Sequence, residues 1–180
     1  MIRIRSSAIV FLAFFTVCGR GFAQGKQIGP PEQTQFSAED ESVQKPVSIP
    51  DDVLAILSKD ELVRDELEEE MPPEGKPPQA WFSASAVHLS GPDEIDLVVL
   101  GESLLRGANV ITFWVFRSAH NAYELVLTAP AHDLIVQKTR WNGYKEIEMS
   151  AESAVTFTRV QFRWDGRKYA EFREKTENIR

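Results

Sequence analysis

One pattern is written twice in the second half of this 180-residue chain. Thr112, Phe116, Arg117 and Tyr123 recur as Thr158, Phe162, Arg163 and Tyr169, so both copies have the form T-x3-F-R-x5-Y at an offset of 46 residues. The turns upstream, Pro92-Asp93 and Asn142-Gly143, lie 50 apart, and a longer loop at Gly101 to Asn109 absorbs the difference of four. Self-similarity at a fixed spacing means that one supersecondary unit is built twice. Apolar residues alternate at period two within each copy, as in half-buried strands. Strands are predicted at 82–89, 95–100, 110–117 and 123–127 in the first unit, and at 134–138, 145–149, 154–164 and 168–173 in the second. The expected fold class is mainly β, or α+β overall. About eight antiparallel strands in two similar four-strand units would form a sandwich or a bent sheet, preceded by one or two short helices.

Upstream of the repeat the composition changes several times. Arg3 and Arg5 precede an apolar run from Ala8 to Cys18, and Gly21 and Ala23 place small residues where signal peptidase reads them. Residues 1–23 are expected to be a signal peptide cleaved between Ala23 and Gln24. The run is shorter than the roughly 20 apolar residues a spanning helix needs, so no stable membrane span is expected after its removal. The localisation this implies is periplasmic or secreted. Cleavage would also remove Cys18, the only cysteine, leaving a mature chain without disulfide or thiol chemistry. Residues 24–47 are rich in Gln, Glu, Ser, Pro and Gly, show neither strand nor helix period, and are expected to be a disordered tether. Residues 48–71 form a helical segment: Ser48 with Asp51 is a capping-box-like start, and Ser58 with Glu61 repeats the signal where the helix breaks. Val53, Leu54, Leu57, Leu62, Val63, Leu67 and Met71 give it an apolar stripe, opposite a solvated acidic face. A Pro-rich linker occupies 72–79, and the β domain is expected over 80–176.

Chemistry is set aside more easily than it is assigned. With 20 basic against 27 acidic residues the formal charge is −7, a poor match to the phosphates of nucleic acid. Gly101-Glu102-Ser103-Leu104-Leu105 starts like a nucleophile elbow but has Leu105 where the second glycine must stand. His88, His120 and His132 share no short metal-ligand spacing, and no glycine-rich phosphate loop exists. No cofactor, metal ligand or catalytic residue is therefore assigned, which points away from an enzyme. Trp141, Tyr144 and Trp164 sit beside turns, where exposed aromatics can anchor a protein or glycan partner, and they are the candidate ligand contacts. Two function classes follow. The first is an exported, monomeric, non-catalytic binding or inhibitor-like module. The second is a small periplasmic hydrolase drawing His88, Asp93 and Asp96 from separate strands.

The stretch His88 to Val98, HLSGPDEIDLV, resembles a degenerate form of the D-x-N-x-D-G-x-x-D-L loop of FG-GAP/VCBS-type β repeats. Trp141 to Glu146 is a fainter echo. In that family the carboxylates of the loop bind calcium between two strands. Carried over by position, His88 stands at the first Asp, Ser90 at the Asn and Pro92 at the third ligand, and Asp96 alone keeps the family's residue. The resemblance implies strand–turn–strand geometry without the oxygen ligands that calcium requires.

Overall fold

The structure is a computed structural model that describes residues 32–70, 72, 76–120 and 122–179. The expected leader, its cleavage point at Ala23–Gln24 and the first part of the expected tether lie outside the described residues. Nine strands and two helices follow in the order β1 (Gln35–Ser37), α1 (Asp51–Leu57), α2 (Glu61–Glu70), β2 (Phe82–Val87), β3 (Asp96–Gly101), β4 (Ile111–Ala119), β5 (Ala122–Ala131), β6 (Asp133–Trp141), β7 (Tyr144–Glu152), β8 (Thr156–Trp164) and β9 (Tyr169–Asn178). Strands β2-β3-β4-β5 make one antiparallel sheet, and β1-β6-β7-β8-β9 make the other. The fold is mainly β, with each sheet built around one consecutive four-strand meander, as the repeat requires. Turn chemistry closes the hairpins. Asn142 and Gly143 both take positive φ between β6 and β7, and Asp165 Oδ1 accepts the Arg167 and Lys168 amides between β8 and β9.

The repeat extends to hydrogen-bond register. Ala86↔Leu97 in the first unit corresponds to Val136↔Ile147 in the second, and Leu97↔Phe116 corresponds to Ile147↔Phe162. Residues of the first two strands map at an offset of 50 and those of the last two at 46, as the turn spacing predicts. A register shift falls between Val115 and Phe116 in one hairpin and between Gln161 and Phe162 in the other. In each case one extra residue is accommodated on the returning strand, Val126 or Phe172. Such bulges increase local twist and re-aim side chains, and here the same bulge sits immediately before the Phe-Arg pair of both copies.

The two units stack front to back. Leu97, Val99, Trp114 and Phe116 of the first sheet bury against Val53, Leu57 and Val63 of the helices. The opposite side of that sheet, through Val98, Phe113 and Val115, packs on Leu134, Val136, Ile147 and Met149 of the second. By register, Leu134, Val136, Ile147 and Met149 are the equivalents of Ala84, Ala86, Leu97 and Val99. The layers are therefore helices, four-stranded sheet and five-stranded sheet, with each sheet presenting the same side in the same direction. Trp114 Nε1 donates to Asp60 Oδ2 at 2.9 Å, fastening the start of α2 to β4.

Three local expectations need correction. Within the expected tether, residues 32–47 are ordered: Phe36 and Val43 are buried, and β1 pairs with the edge of β6. One aromatic and the free hydrogen-bonding edge of an existing sheet suffice there, and neither leaves a periodic signal in three residues. The helical segment does not stand apart behind its linker, because it closes the outer side of the first sheet and Val47 donates to the Ala84 carbonyl. The helix break is where it was expected, but Ser48 is not the cap. Pro50 occupies the N-cap position of α1, and Asp60 accepts the Leu62 amide at the start of α2.

Phe116 is fully buried whereas Phe162 is only partly so. Phe116→Ala is expected to cost about 3–5 kcal/mol and Phe162→Ala clearly less, in urea unfolding. Equal losses from the two substitutions would contradict the inequivalent burial of the repeat.

Candidate functional site

The candidate aromatics separate into two groups. Trp164 ends β8 and Tyr144 begins β7, and both close one end of the inter-sheet core. Their rings stack with centroids 4.4 Å apart, and Tyr169 meets Trp164 edge-on at 5.7 Å. Arg117 lies over the Trp164 ring at 5.0 Å, donates to the Tyr144 hydroxyl at 3.1 Å and pairs with Glu124 at 2.5 Å. The Tyr144 hydroxyl is the main reason that the Arg117 guanidinium holds its proton more tightly than usual. Tyr169 donates to the Lys145 carbonyl at 2.7 Å, and burial pushes its phenol far above the ordinary range. Trp164 is 4% exposed, so it is a core residue and not the exposed turn aromatic the sequence suggested. It is buried because three hairpins converge on that strand end and supply Tyr144, Tyr169 and Arg117 as its cover.

Trp141 alone of the three has a largely open ring, 48% exposed. Arg163 lies over it at 4.5 Å and over Phe172 at 3.7 Å, so the guanidinium is held between two rings. Its Nε donates to Glu146, which also accepts the Thr139 hydroxyl at 2.5 Å. Those contacts, the Thr139 hydrogen bond foremost, hold the Glu146 carboxyl below its usual range. Beside them Gln161 donates to Glu148 at 2.9 Å, and Arg159 pairs with the same carboxylate at 3.2 Å. A groove of about 310 Å³ runs over this surface, lined by Gln137, Thr139, Glu146, Gln161, Arg163 and Phe172 among others.

Register identifies what this surface is. Val98, Phe113, Val115, Val126 and Leu127, which bury the inner side of the first sheet, correspond to Glu148, Arg159, Gln161, Phe172 and Arg173 on the outer side of the second. An apolar set has become a polar and aromatic one at matched positions. None of these residues was singled out from the sequence, which picked out only their neighbours Trp141 and, within the repeated motif, Arg163. The available signal was the alternation of Arg159, Gln161 and Arg163 with Thr158, Val160 and Phe162 along β8, which assigns the first three to one side.

The His/carboxylate set is differently placed. Asp96 is fully buried at the start of β3, and its two oxygens accept the Leu89 amide at 2.8 Å and the Ser118 amide at 2.9 Å. It ties the β2–β3 loop to the end of β4. His88 is partly exposed and lies 3.7 Å from Glu32, while Asp93 is exposed on the loop. The three do not present a common reactive surface, and the one residue that retains the family's loop pattern acts as a backbone clasp. Ser103 takes a positive φ, but its exposed hydroxyl bonds no histidine or carboxylate among the described residues. Among the described residues no group of three or more His, Cys, Asp or Glu side chains is arranged to hold a metal, and no helix is long and apolar enough to cross a membrane.

The chain matches no protein-family model, no characterised protein and no solved structure.

Burial raises the Asp96 carboxyl above the ordinary range by more than its two amide donors lower it. A carboxyl whose folded pKa is raised favours the native state below its unfolded pKa, and that contribution is lost as pH rises through the folded value. Asp96→Asn removes the titration and turns an amide donor towards a backbone donor, costing about 1–3 kcal/mol. The gap between wild type and Asp96→Asn should therefore be widest in acid and narrow towards neutral pH. Urea unfolding across that range reads it, and a gap that grows with rising pH would contradict the assignment.

Proposed function

We propose that the protein is an exported, non-catalytic interaction module that holds a protein or glycan ligand on the outer side of its five-stranded sheet. The observation that carries this reading is the exchange of an apolar set for Glu148, Arg159, Gln161, Phe172 and Arg173 at matched register. A surface that only needed solvation would be served by flexible Lys and Glu side chains. This one has half-exposed aromatic rings and planar amide, carboxylate and guanidinium groups held in place by one another, the arrangement that lets a surface recognise a ligand without first ordering itself. Trp141 offers a ring for stacking. Gln137, Gln161 and Arg173 supply donors and acceptors along the groove, and Arg163, clamped by Glu146 and Phe172, lies over the ring. Export rests on the leader-like N-terminus, and cell fractionation tests it separately.

The binding test uses the chain from Gln24 onward as bait against the exported protein fraction and against immobilised glycans. A saturable ligand should be weakened about tenfold or more by Trp141→Ala and by Gln161→Ala, with thermal stability nearly unchanged because both side chains are at least partly exposed. Trp164→Ala should instead lower the melting temperature. A ligand retained in full by a Trp141→Ala/Arg163→Ala/Phe172→Ala variant would move the site elsewhere.

A further inference from the structure

The second sheet extends past the first on one side. Phe116 and Trp114, both fully buried under the helices, have as their register equivalents Phe162 and Val160, which are only partly covered. Beside them a cleft of about 150 Å³ opens between the edge strand β5 and β8, lined by Ala129, Ala131, Met149, Val160 and Phe162 together with Glu171. That volume accepts one large apolar side chain. Further along the hairpin, β9 is exposed over most of its length, so the β8–β9 ribbon projects beyond the layer that covers its neighbours.

We propose that this ledge is a docking site for an amphipathic helix of another polypeptide, apolar on one side and basic along its flank. The ledge lies on the side of the ribbon opposite Arg163 and the Trp141 ring it covers. The same positions in the first unit are covered by a helix pair whose Val53, Leu57 and Val63 fill the space over Trp114 and Phe116. The second unit repeats the register and leaves the equivalent positions short of cover. Charge selects the partner. Glu171 pairs with Phe162 and Glu174 with Val160, so both acids stand on the ledge side, and neither forms an ion pair among the described residues. A second copy of this chain is disfavoured as occupant, because its own α2 carries Glu61, Glu66, Glu68, Glu69 and Glu70. Anchor residues at helical spacing would enter the cleft and basic residues would meet the two glutamates.

The test titrates two labelled synthetic helices of about 18 residues, one patterned with Leu and Lys and the other with Leu and Glu, at about 0.15 M salt. Fluorescence anisotropy should show saturable binding of the Leu/Lys helix and none of the Leu/Glu helix. Val160→Arg and, independently, Thr158→Arg should weaken binding about tenfold or more. Lys175→Glu, exposed on the opposite side of the same ribbon, should not weaken it. Circular dichroism confirms that each variant is folded, and Thr158, partly exposed and outside the buried core, is the safer of the two sites. Equal binding of both helices, no binding up to about 1 mM, or full binding by both Arg variants would overturn the proposal. So would a dimer of the free protein that Val160→Arg dissolves, since the ledge would then belong to self-association.

Discussion

The structure depends on burying one side of a four-stranded unit against the opposite side of its repeat. Val98, Phe113 and Val115 meet Leu134, Ile147 and Met149, with Phe36 from the N-terminal arm closing the layer. Burial of each large side chain in that layer contributes roughly 1.5–3 kcal/mol. Front-to-back packing has a consequence that face-to-face packing of two sheets lacks: each interface consumes different sides of the two units. One side of the first unit and the opposite side of the second are always left over. The helices cover the first leftover side and nothing among the described residues covers the second, so the asymmetry of the molecule follows from stacking alone.

That leftover surface is where a sequence under no further demand would carry simple solvating charges. It carries instead Arg163 between Trp141 and Phe172, with Glu146 and Glu148 each engaged by neighbouring side chains. The buried polar clasp at Asp96 serves a different purpose, holding a loop and a strand end together while the aromatic cluster around Trp164 seals that end of the core. Buried and outer-side polar groups are therefore separable by exposure. The former have their oxygens saturated by backbone amides; the latter engage side chains at the solvent boundary. Terminal units of stacked repeats need a polar outer side for solubility. The aromatic content of this one is what supports the proposed recognition surface over a plain cap.

Much of the architecture was legible in the chain because two signals agreed. Period-two alternation and the continuous apolar run at 95–100 located all eight strands of the meanders, and the offsets of 50 and 46, reconciled by the loop at 101–109, recur in the register pairings. The helix break before Glu61 falls where the second capping signal put it, although Ser58 ends α1 and Asp60 accepts the amide that opens α2. What was not legible depends on tertiary context. Strand β1 exists because β6 offers an edge, the helices dock because the first sheet leaves an apolar side open, and Trp164 is buried because residues distant in sequence converge on it. Alternation also cannot say which side of a strand meets which layer. Phe116 and Phe162 share a motif, yet one packs against helices and the other lies between sheets. The polar surface at Arg159, Gln161 and Arg163 was visible as a pattern but had no meaning until the stacking direction was known.

The stacking direction is the central claim, and methyl-resolved NMR tests it most directly. Val98 and Val115 should show nuclear Overhauser contacts to Leu134, Ile147 or Met149, while Leu97 and Val99 should show them to Val53, Leu57 or Val63. Contacts from Leu97 or Val99 to the five-stranded sheet would mean that the units pack face to face, and both the proposed recognition surface and the proposed ledge would then be misplaced.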